Sequence, residues 1–179
     1  MRPTSERLRE AVLATLGRRV EGARFLDLYA GAGAVGLESL SRGATEAIFV
    51  ESHRPAGKLI QGNARLCGFE DRVRILVMTV ERGLARLRRE GVIFDVVFID
   101  PPYDRGEAAA AMARLGQWLG LVAPRGVVVC QHSRHEELGE EIGGLSRMRR
   151  KRFGETIIDS YEPREQARHS AGGSGRTSS

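Results

Sequence analysis

Short, nearly unbroken apolar blocks alternate along this chain with longer amphipathic stretches. The blocks are ARFLDLYA (23–30), EAIFVE (46–51), VRILVM (73–78), FDVVFI (94–99) and GVVVCQ (126–131). Each is of strand length, and residues destined for both faces are apolar, the pattern of strands covered on both sides. Between them lie helical patterns. Thr4 or Ser5 can cap a helix to about Leu16, with Leu8, Val12 and Leu16 on one face. GAGAVGLESLSRG (31–43) reads as a glycine turn into a helix that ends at Gly43. Further helices are expected over 54–67, 80–90 and 106–119, and a short one over 135–142. Residues 147–153 and 155–162 look like a closing pair of strands.

Strands alternating with helices at this spacing predict an α/β fold. We expect a doubly wound, mostly parallel, seven-stranded sheet with an antiparallel closing hairpin. One domain over 1–165 accounts for the pattern. The remainder, 166–179, is rich in Ser, Gly and Arg without an apolar face, and disorder is expected there. Ligands of such sheets bind outside the carboxyl ends of the strands, where strand order reverses. Asp27–Gly36, Glu51 and Asp100–Tyr103 all fall at such ends.

Composition narrows the class. The 179 residues suffice for one sizeable core, and a formal net charge of +5 admits a polyanionic partner. No apolar run approaches the ~18 residues of a membrane span, and MRPTSERLRE lacks the apolar segment of a signal peptide. Cys67 and Cys130 show neither zinc spacing nor a disulfide framework, so both read as small core residues in a reducing cytoplasm. No metal site is expected.

Gly31-Ala32-Gly33-Ala34-Val35-Gly36 is a literal G-x-G-x-x-G, with Glu51 at the next strand end, where an acid accepts hydrogen bonds from ribose. A dinucleotide such as NAD fits that much. Asp27 favours S-adenosylmethionine (SAM) instead. A carboxylate at the first strand's end repels a pyrophosphate but attracts an ammonium and a sulfonium. A structural glycine turn with a structural acid is the plain alternative.

The run VVFIDPPYDR (96–105) ends a buried strand on an acid, two prolines and an aromatic. Proline fixes φ and forces its predecessor extended, so Asp100-Pro101-Pro102-Tyr103 is a stiff exit. An ordinary strand end and turn would also use Asp and Pro. The chemical reading concerns an exocyclic base amine, whose lone pair is delocalised into the ring. Two acceptors at its N–H bonds, the Asp100 carboxylate and the Pro101 carbonyl, favour localisation of that pair. Pro102 holds the geometry, and Tyr103 can stack on a flipped base.

These motifs together resemble the bacterial 16S ribosomal RNA (guanine-N2)-methyltransferases of the RsmD type. RPTSERLREAV resembles the family's amino-terminal signature, DLYAGAGAVGLESLSRGA its cofactor loop, FVES its ribose-binding strand end, FIDPPY its catalytic motif and RFGETIIDSYE its closing hairpin. The resemblance implies a class I SAM-dependent methyltransferase, Rossmann-like, cytoplasmic and monomeric. Its partner would be the small ribosomal subunit or an assembly intermediate. It implies cofactor contacts from Asp27, Ala30, Gly31, Gly33 and Gly36 on one side. Glu51, Ser52, Thr79, Val80 and Asp100 supply the other, and Arg7 meets the cofactor carboxylate. Two departures stand out. The family usually carries a basic hairpin before the Arg-Pro-Thr segment, whereas this chain begins Met1-Arg2-Pro3, and Thr79 stands where an acid normally holds the adenine amine.

Arg147, Arg149, Arg150, Lys151 and Arg152 form the denser basic cluster and are expected to contact RNA phosphates; Arg86, Arg88 and Arg89 are weaker candidates. Solvated faces are the alternative for both. Among enzymes, methylation of adenine N6 or of a glutamine side chain remains open. A non-catalytic RNA-binding module is the alternative of another class.

Overall fold

The computed structural model describes residues 5–165. Helix α1 (Ser5–Leu16) precedes strand β1 (Arg24–Leu28). Then follow α2 (Ala34–Ser41), β2 (Glu46–Glu51), α3 (Arg54–Leu66) and β3 (Val73–Val77). The chain continues through α4 (Val80–Glu90), β4 (Phe94–Ile99), α5 (Glu107–Gln117) and a long β5 (Val122–Ser133). It closes with β6 (Glu141–Ile142), β7 (Leu145–Phe153) and β8 (Thr156–Pro163).

The strands form one sheet in the order β3-β2-β1-β4-β5-β8-β7-β6. The pairs from β3 through β5 are parallel, and those from β5 to β6 antiparallel. The expected doubly wound sheet with a closing hairpin is therefore present, with an eighth strand, β6, added at the edge. Strand order reverses between β1 and β4, which places the site between their carboxyl ends.

Alternation along the strands divides the core into two layers. Leu26, Val97 and Val128 face α4 and α5, meeting Leu84, Leu87, Met112 and Leu115. Phe25, Phe49, Phe98 and Val129 face the other way, against Leu8, Val12, Leu37, Leu40 and Ile60. Together the layers exclude solvent from the central strands β1, β2 and β4, which explains their nearly unbroken apolar blocks, whereas the edge strand β3 is only partly covered. Phe25 is fully buried, and truncating such a ring to alanine typically costs about 3–5 kcal/mol.

The helix ends follow their local chemistry. Thr79 caps α4, its hydroxyl accepting from the Arg82 N–H at 3.3 Å. Gly91 stops the helix at φ 72°, a left-handed conformation that costs glycine little. Pro55 sits in the first turn of α3, where its missing N–H has no partner to lose.

Two expectations change. The short helix over 135–142 is absent: the segment is a turn leading into β6. Gly139 within the segment and Gly143 and Gly144 just after it break the weak helical pattern, and Glu141 and Ile142 pair with Ser146 and Leu145 instead. Cys67 is exposed at the end of α3, whereas Cys130 is buried in β5 as expected. Thr4 and 166–179 lie outside the described residues.

Candidate active site

Above the carboxyl ends of β1, β2, β4 and β5 lies an open cleft of about 970 Å³, adjoined by a smaller lobe of about 200 Å³. The two share Ser5, Leu8, Tyr29, Asp100 and Gln131. The main lobe is walled by Glu51, Ser52, Thr79 and Val80 at one end and by Asp100–Tyr103 at the other. Asp27 and Ala30 line the small lobe. Residues far apart in sequence thus converge as the doubly wound pattern predicts.

The glycine loop is held by the two acids. Gly31 N–H donates to Glu51 Oε2 at 2.9 Å, and His53 N–H donates to Oε1 of the same carboxylate at 3.1 Å. Gly36 N–H donates to Asp27 Oδ2 at 3.1 Å. Two amides of the glycine loop, those of Gly31 and Gly36, are therefore already engaged by carboxylates. Gly33 turns at φ 79°. At Gly36 the requirement is space, since a Cβ there would drive into the Phe49 ring. Tyr29 adopts φ 59°, a left-handed backbone that costs a non-glycine residue roughly 1–2 kcal/mol. It places the ring in the wall shared by both lobes. Burial, with Glu107 and Cys130 nearby, pushes its hydroxyl up to about 12.

The stiff exit from β4 is present. Asp100 N–H reaches the Leu28 carbonyl at 3.4 Å, tying the first residue of the motif to β1. Pro101 is buried, Pro102 exposed and Tyr103 half-buried. The Tyr103 hydroxyl lies 3.0 Å from Thr156 Oγ1 and accepts from Gln131 Nε2 at 3.4 Å. Strands β5 and β8 therefore fix the ring's position. Asp104 reverses the chain at φ 61°, and Gly106 N–H donates to Glu136 Oε1 at 2.9 Å before α5 begins.

Electrostatically the cleft is an acid pocket awaiting positive charge. Burial pushes the Asp100 carboxyl up to about 6. Burial also pushes Asp27 well above the usual carboxylate range; the Gly36 N–H opposes this, while the Asp100 and Glu51 charges reinforce it. A cation placed among these groups would relieve the repulsion and favour their ionised forms. An exocyclic amine beside Asp100 would find an acceptor there.

Other expected residues are placed as follows. The Arg7 guanidinium lies over the Phe153 ring at 5.9 Å, on the closing hairpin, and Arg7 lines neither lobe. Ser5, Leu8 and Arg9 are the residues of α1 that do. The Thr79 hydroxyl is engaged as a cap, although the residue lines the main lobe. Arg86 pairs with Glu90 at 3.0 Å, and Arg88 rests 4.7 Å over Trp118.

The dense basic cluster divides between the two faces of β7. Arg150 is engaged with Asp159 through two hydrogen bonds, of 2.8 and 2.9 Å. Arg147 donates to the Leu138 carbonyl at 3.2 Å and Arg152 to the Gly154 carbonyl at 3.2 Å. Arg149 and Lys151 have no such partner among the described residues, and they face away from Asp159. Alternation in β7 is what separates the two sets, and a register shift between Arg147 and Arg149 sets its phase.

Tyr29, Gln131 and Thr156 escaped the sequence reading. Tyr29 lies two residues before the glycine motif and was legible there. Gln131 lies near the end of β5 and Thr156 at the start of β8, strands that look purely structural in the sequence.

Comparison with known proteins agrees with this geometry. Residues 1–162 match the family described as Conserved hypothetical protein 95. YlbH of Bacillus subtilis (strain 168), by its name a candidate rRNA methyltransferase, is 29% identical over 163 residues, 91% of this chain and 88% of that protein. Ribosomal RNA small subunit methyltransferase D of Escherichia coli (strain K12) is 36% identical over 107 residues. That match covers 59% of this chain and 52% of the relative, so it spans about half of the relative's length. The solved structure of yhhF from Escherichia coli, a candidate methyltransferase by its title, superposes with a TM-score of 0.79 at 27% identity. It covers 92% of this chain and 88% of that one. The chain therefore belongs to the family described as Conserved hypothetical protein 95, and the RsmD-type resemblance carried by its motifs holds.

Proposed function

We propose that this protein is a SAM-dependent N-methyltransferase that modifies the exocyclic N2 amine of a guanine in small-subunit ribosomal RNA. The observation that carries the reading is the placement of Asp100. Its carboxylate faces the cleft beside the glycine loop, and burial raises its affinity for a proton.

The residues present fit SAM better than a dinucleotide. The Gly31 and Gly36 amides are occupied by Glu51 and Asp27, so a pyrophosphate at the loop would approach two carboxylates. An ammonium and a sulfonium suit the same acids. Glu51 and Ser52 would hold the ribose, Thr79 and Val80 would flank the adenine, and Asp27 would face the amino group. When bound, SAM supplies an electrophilic methyl group on a positively charged sulfur.

The chain's own part is positioning and electrostatics. Asp100 and the Pro101 carbonyl accept from the two N–H bonds of the amine and orient its lone pair. The Tyr103 ring supports the plane of an extruded base. As the amine nitrogen gains a methyl group it becomes cationic, and its surplus proton leaves by way of Asp100 or water. Arg149 and Lys151 are the cations best placed to follow RNA phosphates.

The test is incubation of small ribosomal subunits lacking the modification with isotope-labelled SAM, followed by nucleoside mass spectrometry. Label in N2-methylguanosine is the expected result. Label in N6-methyladenosine, or none in RNA, would refute the assignment.

A further inference from the structure

The target base must present its whole pairing edge to the cleft, and one side chain beside Asp100 has no role in the mechanism above. Gln131 is 8% exposed in a strand whose neighbouring residues on the same face, Val127 and Val129, are apolar. Ile99 pairs with Cys130, so Asp100 and Gln131 are the next residues on adjoining parallel strands. Their Cα atoms are therefore about 5 Å apart across the sheet, and both follow the face marked by Phe98 and Val129. Both also line the two lobes of the cleft.

The Gln131 amide is engaged at one end only. Its Nε2 donates to the Tyr103 hydroxyl at 3.4 Å, and Tyr103 is held in turn by Thr156 at 3.0 Å. With Nε2 committed, the carbonyl Oε1 is the end left for the cleft. Among the described residues the orphaned buried side-chain atom is Glu136 Oε2, so Oε1 is not sealed away without a partner. The cleft therefore carries two acceptors side by side, one charged and one neutral.

We infer that Gln131 is a specificity-determining residue whose Oε1 accepts the N1–H of the target guanine while Asp100 accepts from its N2 amine. This rests on the guanine reading proposed above. The chemistry is complementary: guanine shows N1–H and the N2 amine as adjacent donors. Adenine shows a bare N1 lone pair beside its N6 amine, and that lone pair would face Oε1 with no hydrogen between them. A buried acceptor left unpaired in this way rejects the wrong base more strongly than a missing apolar contact does. The Tyr103 hydroxyl acts through the amide here by fixing which end of Gln131 faces the base.

The experiment compares guanosine with 2-aminopurine riboside, which keeps the 2-amine but has no N1–H. The methylated position is first mapped with the wild-type protein. Small-subunit RNA carrying either base at that position is then assembled by ligation and methylated in single turnovers with SAM saturating. The wild type should prefer guanine by roughly 10- to 100-fold. Gln131→Leu should methylate the two bases at nearly equal rates, by slowing on guanine alone. Gln131→Glu retains an acceptor and should keep most of the preference. An unchanged ratio in Gln131→Leu, or equal rates in Gln131→Glu, would overturn the assignment. Failure of the wild type to form N2-methylguanosine at all would instead overturn the guanine reading, before any variant is compared.

Discussion

Asp27 and Asp100 face the same small lobe from neighbouring strands, and the charge of Asp100 helps keep the Asp27 carboxyl protonated above its usual range. At these strand ends Asp27 is buried and Asp100 largely withdrawn from water, so an unpaired negative charge is costly there. The fold accepts that cost at the place where it binds its ligand.

The first expected outcome concerns stability against pH. Burial raises the Asp100 carboxyl from 3.8 unfolded to about 6 folded. The folded protein therefore binds the proton more tightly, and stability falls as pH rises across that window. Asp100→Asn removes the charge and should raise the melting temperature at pH 7.5, by an amount equivalent to at most about 2–3 kcal/mol. Below pH 4 the difference should vanish. Thermal melts across pH would detect it, and an equal or lower melting temperature at pH 7.5 would contradict the account.

Asp100 should matter in turnover beyond its part in binding. Asp100→Ala should retain RNA affinity and lose roughly 10²–10³ in single-turnover rate, the scale of one preorganised electrostatic partner. Asp100→Asn should recover a fraction of that loss. Near-normal transfer in the alanine variant would leave the motif as a structural strand end.

Cofactor affinity should depend on the acids that hold the loop. Glu51→Ala removes the acceptor of both Gly31 and His53 N–H groups as well as the proposed ribose contact. Calorimetry should show SAM binding weakened by about 1–3 kcal/mol. Affinity of the wild type should also decline as pH falls through about 6, because protonating Asp100 removes charge that favours a cation. A pH-independent affinity between about pH 5 and pH 7, a unit either side of that value, would argue against an acid pocket.

Tyr103→Phe should not be silent. Its hydroxyl joins Thr156 and Gln131, so its loss frees the ring and the amide together. A reduction of about 3- to 10-fold in single-turnover rate is expected, the cost of one modest hydrogen bond. Tyr103→Ala should be far worse. Equal rates for wild type and Tyr103→Phe would show the hydroxyl network to be dispensable.

The basic strand should separate into two classes of variant. Arg149→Glu combined with Lys151→Glu should flatten the salt dependence of RNA binding and leave SAM affinity alone. Arg150→Ala should chiefly destabilise the fold, by about 1–3 kcal/mol, because buried Asp159 loses two charge-assisted hydrogen bonds. Burial alone would raise the Asp159 carboxyl; His132 and Arg150 outweigh it and hold it below the ordinary value. Stability measured by denaturant and binding measured by salt titration would tell the classes apart.

The sheet was legible because its central strands are buried on both faces, which leaves nearly unbroken apolar blocks such as FDVVFI, matched by β4 over Phe94–Ile99. The cleft's acids were legible because their positions at strand ends follow from those blocks. The false helix over 135–142 came from a polar segment whose structure depends on pairing with β7, a partner that local pattern does not encode. The roles of Arg150 and Gln131 were hidden for a related reason. One depends on the facing residue of β8 and the other on a loop many residues away, and both are set by tertiary register.

The way the two carboxylates engage the loop amides has a consequence for how such sequences are classified and redesigned. A G-x-G-x-x-G pattern records the shape of a turn, and the same shape serves ligands of opposite charge. What separates them is whether the turn's N–H groups remain available to a guest or are satisfied from within. Motif searches that score glycines alone will therefore merge the two classes. Re-engineering this scaffold toward phosphate-bearing ligands would begin at Asp27 and Glu51, with every glycine left in place.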